Sequence, residues 1–228
     1  MNPSVKTSSG LARPAAETGV RLFSLRPKQK RLLRYALVFV LLAGVGSAVY
    51  AYISTAPQRA ENQFHNAMKL MKPGHYEEAI AGFSRAVRTW PELADAYFER
   101  GNAYHVLGRD DEALADFEKA TDVNPNLALA YAALGSIYRD RKDYKHAMEA
   151  YTKSIDSKPN VDVYFERGQT YESLGEHQKA VDDFDRAILE MPLSPEVYRS
   201  RAAARRNLGD QPGYEADRDT ARRMERRR

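Results

Sequence analysis

Residues 97–101 read Tyr97-Phe98-Glu99-Arg100-Gly101, and residues 164–168 read Tyr164-Phe165-Glu166-Arg167-Gly168. The copies lie 67 residues apart, one spacing of 34 and one of 33, and between them stands Tyr131-Ala132-Ala133-Leu134-Gly135. Seven residues after each glycine comes a turn residue (Gly108, Lys142, Gly175), and twelve after it an alanine (Ala113, Ala147, Ala180). Sixteen after it comes an aromatic (Phe117, Tyr151, Phe184), and twenty-four after it a proline (Pro125, Pro159, Pro192). A period between about 20 and 50 residues marks an array of stacked supersecondary units.

This pattern resembles the tetratricopeptide repeat (TPR), a helix–turn–helix unit of roughly 34 residues. Working back from Pro91, another copy has Ala67, Gly74, Ala79, Phe83 and Ala86 in register. The repeats are 60–93, 94–127, 128–160 and 161–194. The resemblance implies an all-α solenoid in which small residues such as Gly101 and Ala113 let the two helices of a hairpin approach. Aromatics such as Tyr97 and Phe117 would fill the space between neighbouring hairpins, and proline would end each second helix. A single hairpin cannot bury its apolar face, so stacked copies share a core.

Residues 195–228 read as a degenerate fifth copy that caps the array. Tyr198, Gly209 and Ala221 keep register, whereas Ala202 replaces the glycine and Arg218 the aromatic. Gln211-Pro212-Gly213 is expected to spoil the start of the second helix. The terminal run Arg222, Arg223, Arg226, Arg227 and Arg228 suits a helix C-terminus.

Ahead of the repeats, Tyr35–Ile53 is almost wholly apolar, and no charged side chain occurs from Tyr35 to Gln58. Nineteen residues rise roughly 28 Å, close to the hydrocarbon thickness of a bilayer. Residues 35–56 therefore read as an uncleaved transmembrane signal-anchor helix. Tyr35, Tyr50 and Tyr52 suit the interfaces, and the apolar run exceeds the h-region of a cleaved signal peptide. Arg26, Lys28, Lys30, Arg31 and Arg34 crowd its N-terminal flank, which by the positive-inside rule puts the N-terminus in the cytoplasm. Residues 1–34 are expected to form a basic, disordered cytoplasmic tail.

The net charge of +4 is unevenly spread. Residues 60–194 carry 16 basic and 24 acidic side chains, so the basic character belongs to the ends and nucleic-acid binding is not expected. Cysteine is absent, which excludes disulfides, thiolate metal sites and cysteine nucleophiles. The five histidines are scattered without metal-ligand spacing, and no phosphate loop, dinucleotide motif or nucleophile elbow occurs. No cofactor, metal or catalytic role is expected. The acidic pairs Glu77-Glu78, Asp110-Asp111 and Asp182-Asp183 read as residues near the starts of second helices, where they favour the helix dipole.

What remains is a surface. In TPR proteins the first helix of each hairpin lines a concave groove. Carried onto this chain, that resemblance implies a partner-binding face of Phe64, Met68 and Met71, then Phe98, Asn102 and His105. It continues with Leu129, Ser136 and Arg139, and with Phe165, Gln169 and Glu172. An apolar, methionine-containing groove suits an extended or helical peptide. The pattern leaves open whether the phenylalanines face this groove or the packing between repeats. The carboxylate clamp of some TPR co-chaperones is not expected, because Phe64, Glu99, Leu129 and Ala133 stand at its positions.

The expected protein is a membrane-tethered interaction scaffold or assembly factor, with its repeats on the non-cytoplasmic side, periplasmic in a bacterium. A cytosol-facing organelle receptor and an accessory subunit of an envelope enzyme complex are the alternatives. The partner is a protein or peptide, and a homo-oligomer is left open.

Overall fold

The structure is a computed structural model that describes residues 27–226. The expectation of disorder for residues 1–26 lies outside these, as do Arg227 and Arg228. The chain divides into two units, one ending at Ser54 and one running from Thr55.

In the first unit a single helix, α1, spans Pro27–Ser54. It starts eight residues before Tyr35, so residues 27–34, expected in the disordered tail, are helical. Pro27 presets the backbone angle of a first helical residue, and the Lys, Arg, Gln and Leu that follow are good helix formers. Leu37–Ser54 is long and apolar enough to cross a membrane, and none of it is buried within the protein.

The second unit is built from five helical hairpins: α2 (Ala56–Met68) with α3 (Tyr76–Thr89), α4 (Ala94–Val106) with α5 (Asp110–Val123), and α6 (Ala128–Asp140) with α7 (Tyr144–Ser157). They continue as α8 (Val161–Ser173) with α9 (His177–Glu190) and α10 (Pro195–Asn207) with α11 (Gln211–Glu225). The second helix of each hairpin packs on the first helix of the next. No strand occurs among the described residues.

The repeated residues sit where the spacing put them. The hairpin alanines Ala79, Ala113, Ala147 and Ala180 are fully buried, as are the aromatics Phe83, Phe117, Tyr151 and Phe184. Pro91, Pro125, Pro159 and Pro192 each stand two residues beyond the end of a second helix. The inter-helix turns hold a left-handed residue at one register position, glycine in four hairpins (φ 72–85°) and Lys142 (φ 62°) in the third.

The fifth hairpin is better formed than expected. Gln211-Pro212-Gly213 does not spoil α11 but starts it. Pro212 falls in the first turn, where a missing amide costs nothing. The Asp210 carboxylate accepts a bond from the Gly213 amide at 3.0 Å, a helix cap. A side chain at Gly213 would collide with Asp210.

Candidate partner-binding groove

Counting residues 60, 94, 128, 161 and 195 as position 1 of their repeats, position 5 of the first, second and fourth is Phe64, Phe98 and Phe165. All three are half-buried, and each ring lies tilted against the position-24 aromatic of its own repeat. The centroid distances are 5.7 Å for Phe64–Phe83, 5.7 Å for Phe98–Phe117 and 5.8 Å for Phe165–Phe184. Each ring therefore packs within its own hairpin and stays partly exposed to solvent.

The other apolar members differ in exposure. Met68 is 37% exposed and Leu129 53%, whereas Met71 packs against the Phe83 cluster. Most of the polar members are engaged. Asn102 donates to Glu99 at 3.1 Å. Ser136 donates to Glu166 at 2.7 Å across the first helices of repeats three and four. The Arg139 guanidinium stands 3.8 Å from that same carboxylate. Behind them the Tyr151 hydroxyl donates to Ser136 at 3.4 Å, and burial holds its phenol well above the usual range. Gln169 is half-buried on α8.

His105 and Glu172 occupy the same position, 12, in repeats two and four, and both bind position 17 across the turn. His105 Nδ1 lies 2.7 Å from Asp110 Oδ1, and His177 Nδ1 lies 2.5 Å from Glu172 Oε1. Histidine and carboxylate have exchanged places while the contact is kept. Glu172 also accepts from Asn207 of α10 at 3.2 Å. Bonds from α6 to α8 and from α8 to α10 therefore tie the first helices of repeats three, four and five together. Among the described residues no three His, Cys, Asp or Glu side chains gather as a metal site.

The sequence reading missed a recurrent ion pair. In repeats two, four and five, Arg at position 7 grips Asp at position 23 of its own hairpin with two bonds. For Arg100–Asp116 these measure 2.7 and 2.7 Å, for Arg167–Asp183 2.8 and 2.8 Å, and for Arg201–Asp217 2.9 and 2.6 Å. The third guanidinium nitrogen reaches back to position 25 of the preceding repeat: Ser84, Thr152 and Asp185. Each guanidinium also lies 5.4–5.8 Å from the ring of the position-4 tyrosine. The bond to Asp116 raises the pKa of Arg100 further above its ordinary value.

This corrects one expectation. Glu77-Glu78 and Asp110-Asp111 do lie in the first turns of α3 and α5. Asp183 instead sits in mid-helix, buried against Arg167.

The chain matches tetratricopeptide repeat models over residues 94–127, 128–161 and 161–194, and a TPR repeat model over 69–108. No relative among curated proteins matches it. Among solved structures it is similar in fold to a crystal structure of MamA (TM-score 0.66, 23% identity), covering 71% of this chain and 95% of that one. It is likewise similar to MamA 41-end from Desulfovibrio magneticus RS-1 (TM-score 0.67, 18% identity), covering 74% and 96%. The matched models together span residues 69–194, more than half of the 228, and three of them coincide with the hairpins of repeats two to four, so the chain belongs to the tetratricopeptide repeat family.

Proposed function

We propose that this protein is a membrane-tethered, non-enzymatic scaffold that holds a partner polypeptide on the face formed by its first helices. The observation that carries this reading is the apolar content of that face. The half-buried rings of Phe64, Phe98 and Phe165 recur at one register, and the exposed side chains of Met68 on α2 and Leu129 on α6 accompany them. Adaptable methionine and aromatic anchors on a rigid frame are what a peptide groove needs. The polar groups along the face are mostly bound to one another and orient the helices.

The basic flank before Tyr35 supports a cytoplasmic N-terminus, with the repeats on the opposite side of the membrane, periplasmic in a bacterial cell. The Tyr35–Ile53 stretch would then be the tether.

The test is photo-crosslinking in intact cells, with a photoreactive phenylalanine placed at Met68 or Leu129 and, as controls, at Lys119 or Arg186 on second helices. Adducts at the first pair alone support the groove, and equal labelling at all four rejects it. A periplasmic-type reporter fused after Arg228 should be active; activity of a cytoplasmic-type reporter there would reverse the topology.

A further inference from the structure

The third repeat lacks the arginine–aspartate pair. Leu134 and Ala150 stand at positions 7 and 23, and beside them an open notch of about 380 Å³ lies between α5, α6 and α7. That volume falls inside the roughly 300–1,000 Å³ range of ligand pockets. Its walls are the register positions that hold a guanidinium elsewhere in the molecule. Tyr131 corresponds to Tyr97, Tyr164 and Tyr198, which lie against the arginines of repeats two, four and five. Glu118 corresponds to Ser84, Thr152 and Asp185, which accept the third guanidinium nitrogen.

The charge is also that of a site short of a cation. Asp122 and Glu149 join Glu118 on the rim, against the Lys153 ammonium. Asp122 also lies 4.0 Å from Lys119, and His146 on the wall is engaged by Asp143 at 2.6 Å, so Glu118 and Glu149 carry the excess negative charge. Glu118 accepts from the Tyr138 hydroxyl at 3.1 Å through one oxygen. Lys153 is exposed and lies 5.5 Å from the Tyr131 centroid, a partial occupant of the place a guanidinium takes in the other repeats.

We propose that this notch binds an arginine side chain presented by a partner polypeptide, its guanidinium set against Tyr131 and Glu118, the counterparts of two of the three groups that hold the chain's own arginines, with Glu149 on the rim as the further carboxylate where the position-23 aspartate is replaced by Ala150. A planar guanidinium fits better than an ammonium because it stacks on the tyrosine face and offers a fork of donors to the carboxylates. The notch lies between α5, α6 and α7, away from the first-helix face, so its test is independent of the groove.

The experiment is methyl NMR of the full chain in detergent micelles, reading Thr121 on the notch wall while titrating N-acetyl-arginine amide. Saturable shifts are expected, with N-acetyl-lysine amide about tenfold weaker and the citrulline analogue silent, because citrulline keeps the shape and loses the charge. Glu118→Gln should weaken the arginine response several-fold, and Lys153→Gln should strengthen it. Leu134→Arg with Ala150→Asp installs the missing pair and should abolish the response while the protein stays folded. Equal shifts from all three compounds, or an undiminished response in Glu118→Gln, would overturn the proposal even if the double variant failed to fold.

Discussion

A Cβ added to Gly101 would stand 2.6 Å from Cε1 of Phe117, and the same contact recurs between Gly135 and Tyr151 (2.5 Å) and between Gly168 and Phe184 (2.7 Å). Helix propensity alone says that alanine at a helical glycine should stabilise by about 0.5–1 kcal/mol. The ring leaves no room for it, and overpacking of a core costs about 1–3 kcal/mol, so the steric effect wins. Gly101→Ala in the unit spanning residues 55–228 should lower stability by about 1–2 kcal/mol in denaturant titration. A stabilised variant would show that the Phe117 ring can move aside.

The Arg167–Asp183 pair is nearly covered, at 15% and 7% exposure, so its removal is not symmetrical. Asp183→Asn strands a guanidinium and should cost about 3–5 kcal/mol, whereas replacing a buried pair with apolar residues is often close to neutral. The third repeat already carries such a replacement in Leu134 and Ala150, both buried. Arg167→Leu with Asp183→Ala should therefore recover most of the loss. Stability curves of the single and double variants make the comparison.

Legibility in the sequence followed how narrowly each position constrains residue type. Gly101, Ala113 and Phe117 answer one steric demand, and only a few side chains satisfy it, so the period shows. Arg100 stood in the very stretch that revealed the period, yet its partner Asp116 lies sixteen residues on, beyond the turn. No helical or strand periodicity links such positions, and the aspartates look like ordinary surface charge. Position 12 was read residue by residue, so the exchange of histidine and carboxylate between His105–Asp110 and Glu172–His177 did not show. In the fifth repeat Pro212 taken alone suggests a breaker, and only together with the capping carboxylate of Asp210 does it mark a first turn.

The cap of α7 sets a pH dependence. Asp143 accepts from the backbone amide of His146 at 3.3 Å, and its other oxygen lies 2.6 Å from the ring Nδ1. The bond with the His146 ring, then that with the amide, lowers the Asp143 pKa below its ordinary value of 3.8. The folded value is depressed, so this contribution is complete above the ordinary value and is lost as pH falls through the lowered one. Asp143→Asn keeps a capping oxygen but removes the charge. Its stability deficit relative to the parent should be present near neutrality and vanish once the pH falls below the lowered pKa of Asp143. A deficit that persists in acid would mean that the amide is a poor cap and that charge is not its cause.

Phe98 and Phe117 touch, at 5.7 Å between centroids, but only Phe117 is fully buried. Truncating a buried phenylalanine costs about 3–5 kcal/mol, and Phe117→Ala should fall in that range. Phe98 is half-exposed and loses contact on one edge alone, so Phe98→Ala should cost less than half as much and leave a cooperative, helical fold. If the first-helix face binds a partner, the same substitution should weaken capture by about 2 kcal/mol or more, because aromatic anchors dominate interface energies. Both readouts come from one protein sample, melting by circular dichroism and binding of the partner recovered by crosslinking at Met68 or Leu129. A stability loss as large as that of Phe117→Ala would assign Phe98 to the core. A small loss with unchanged capture would place the partner elsewhere on the molecule.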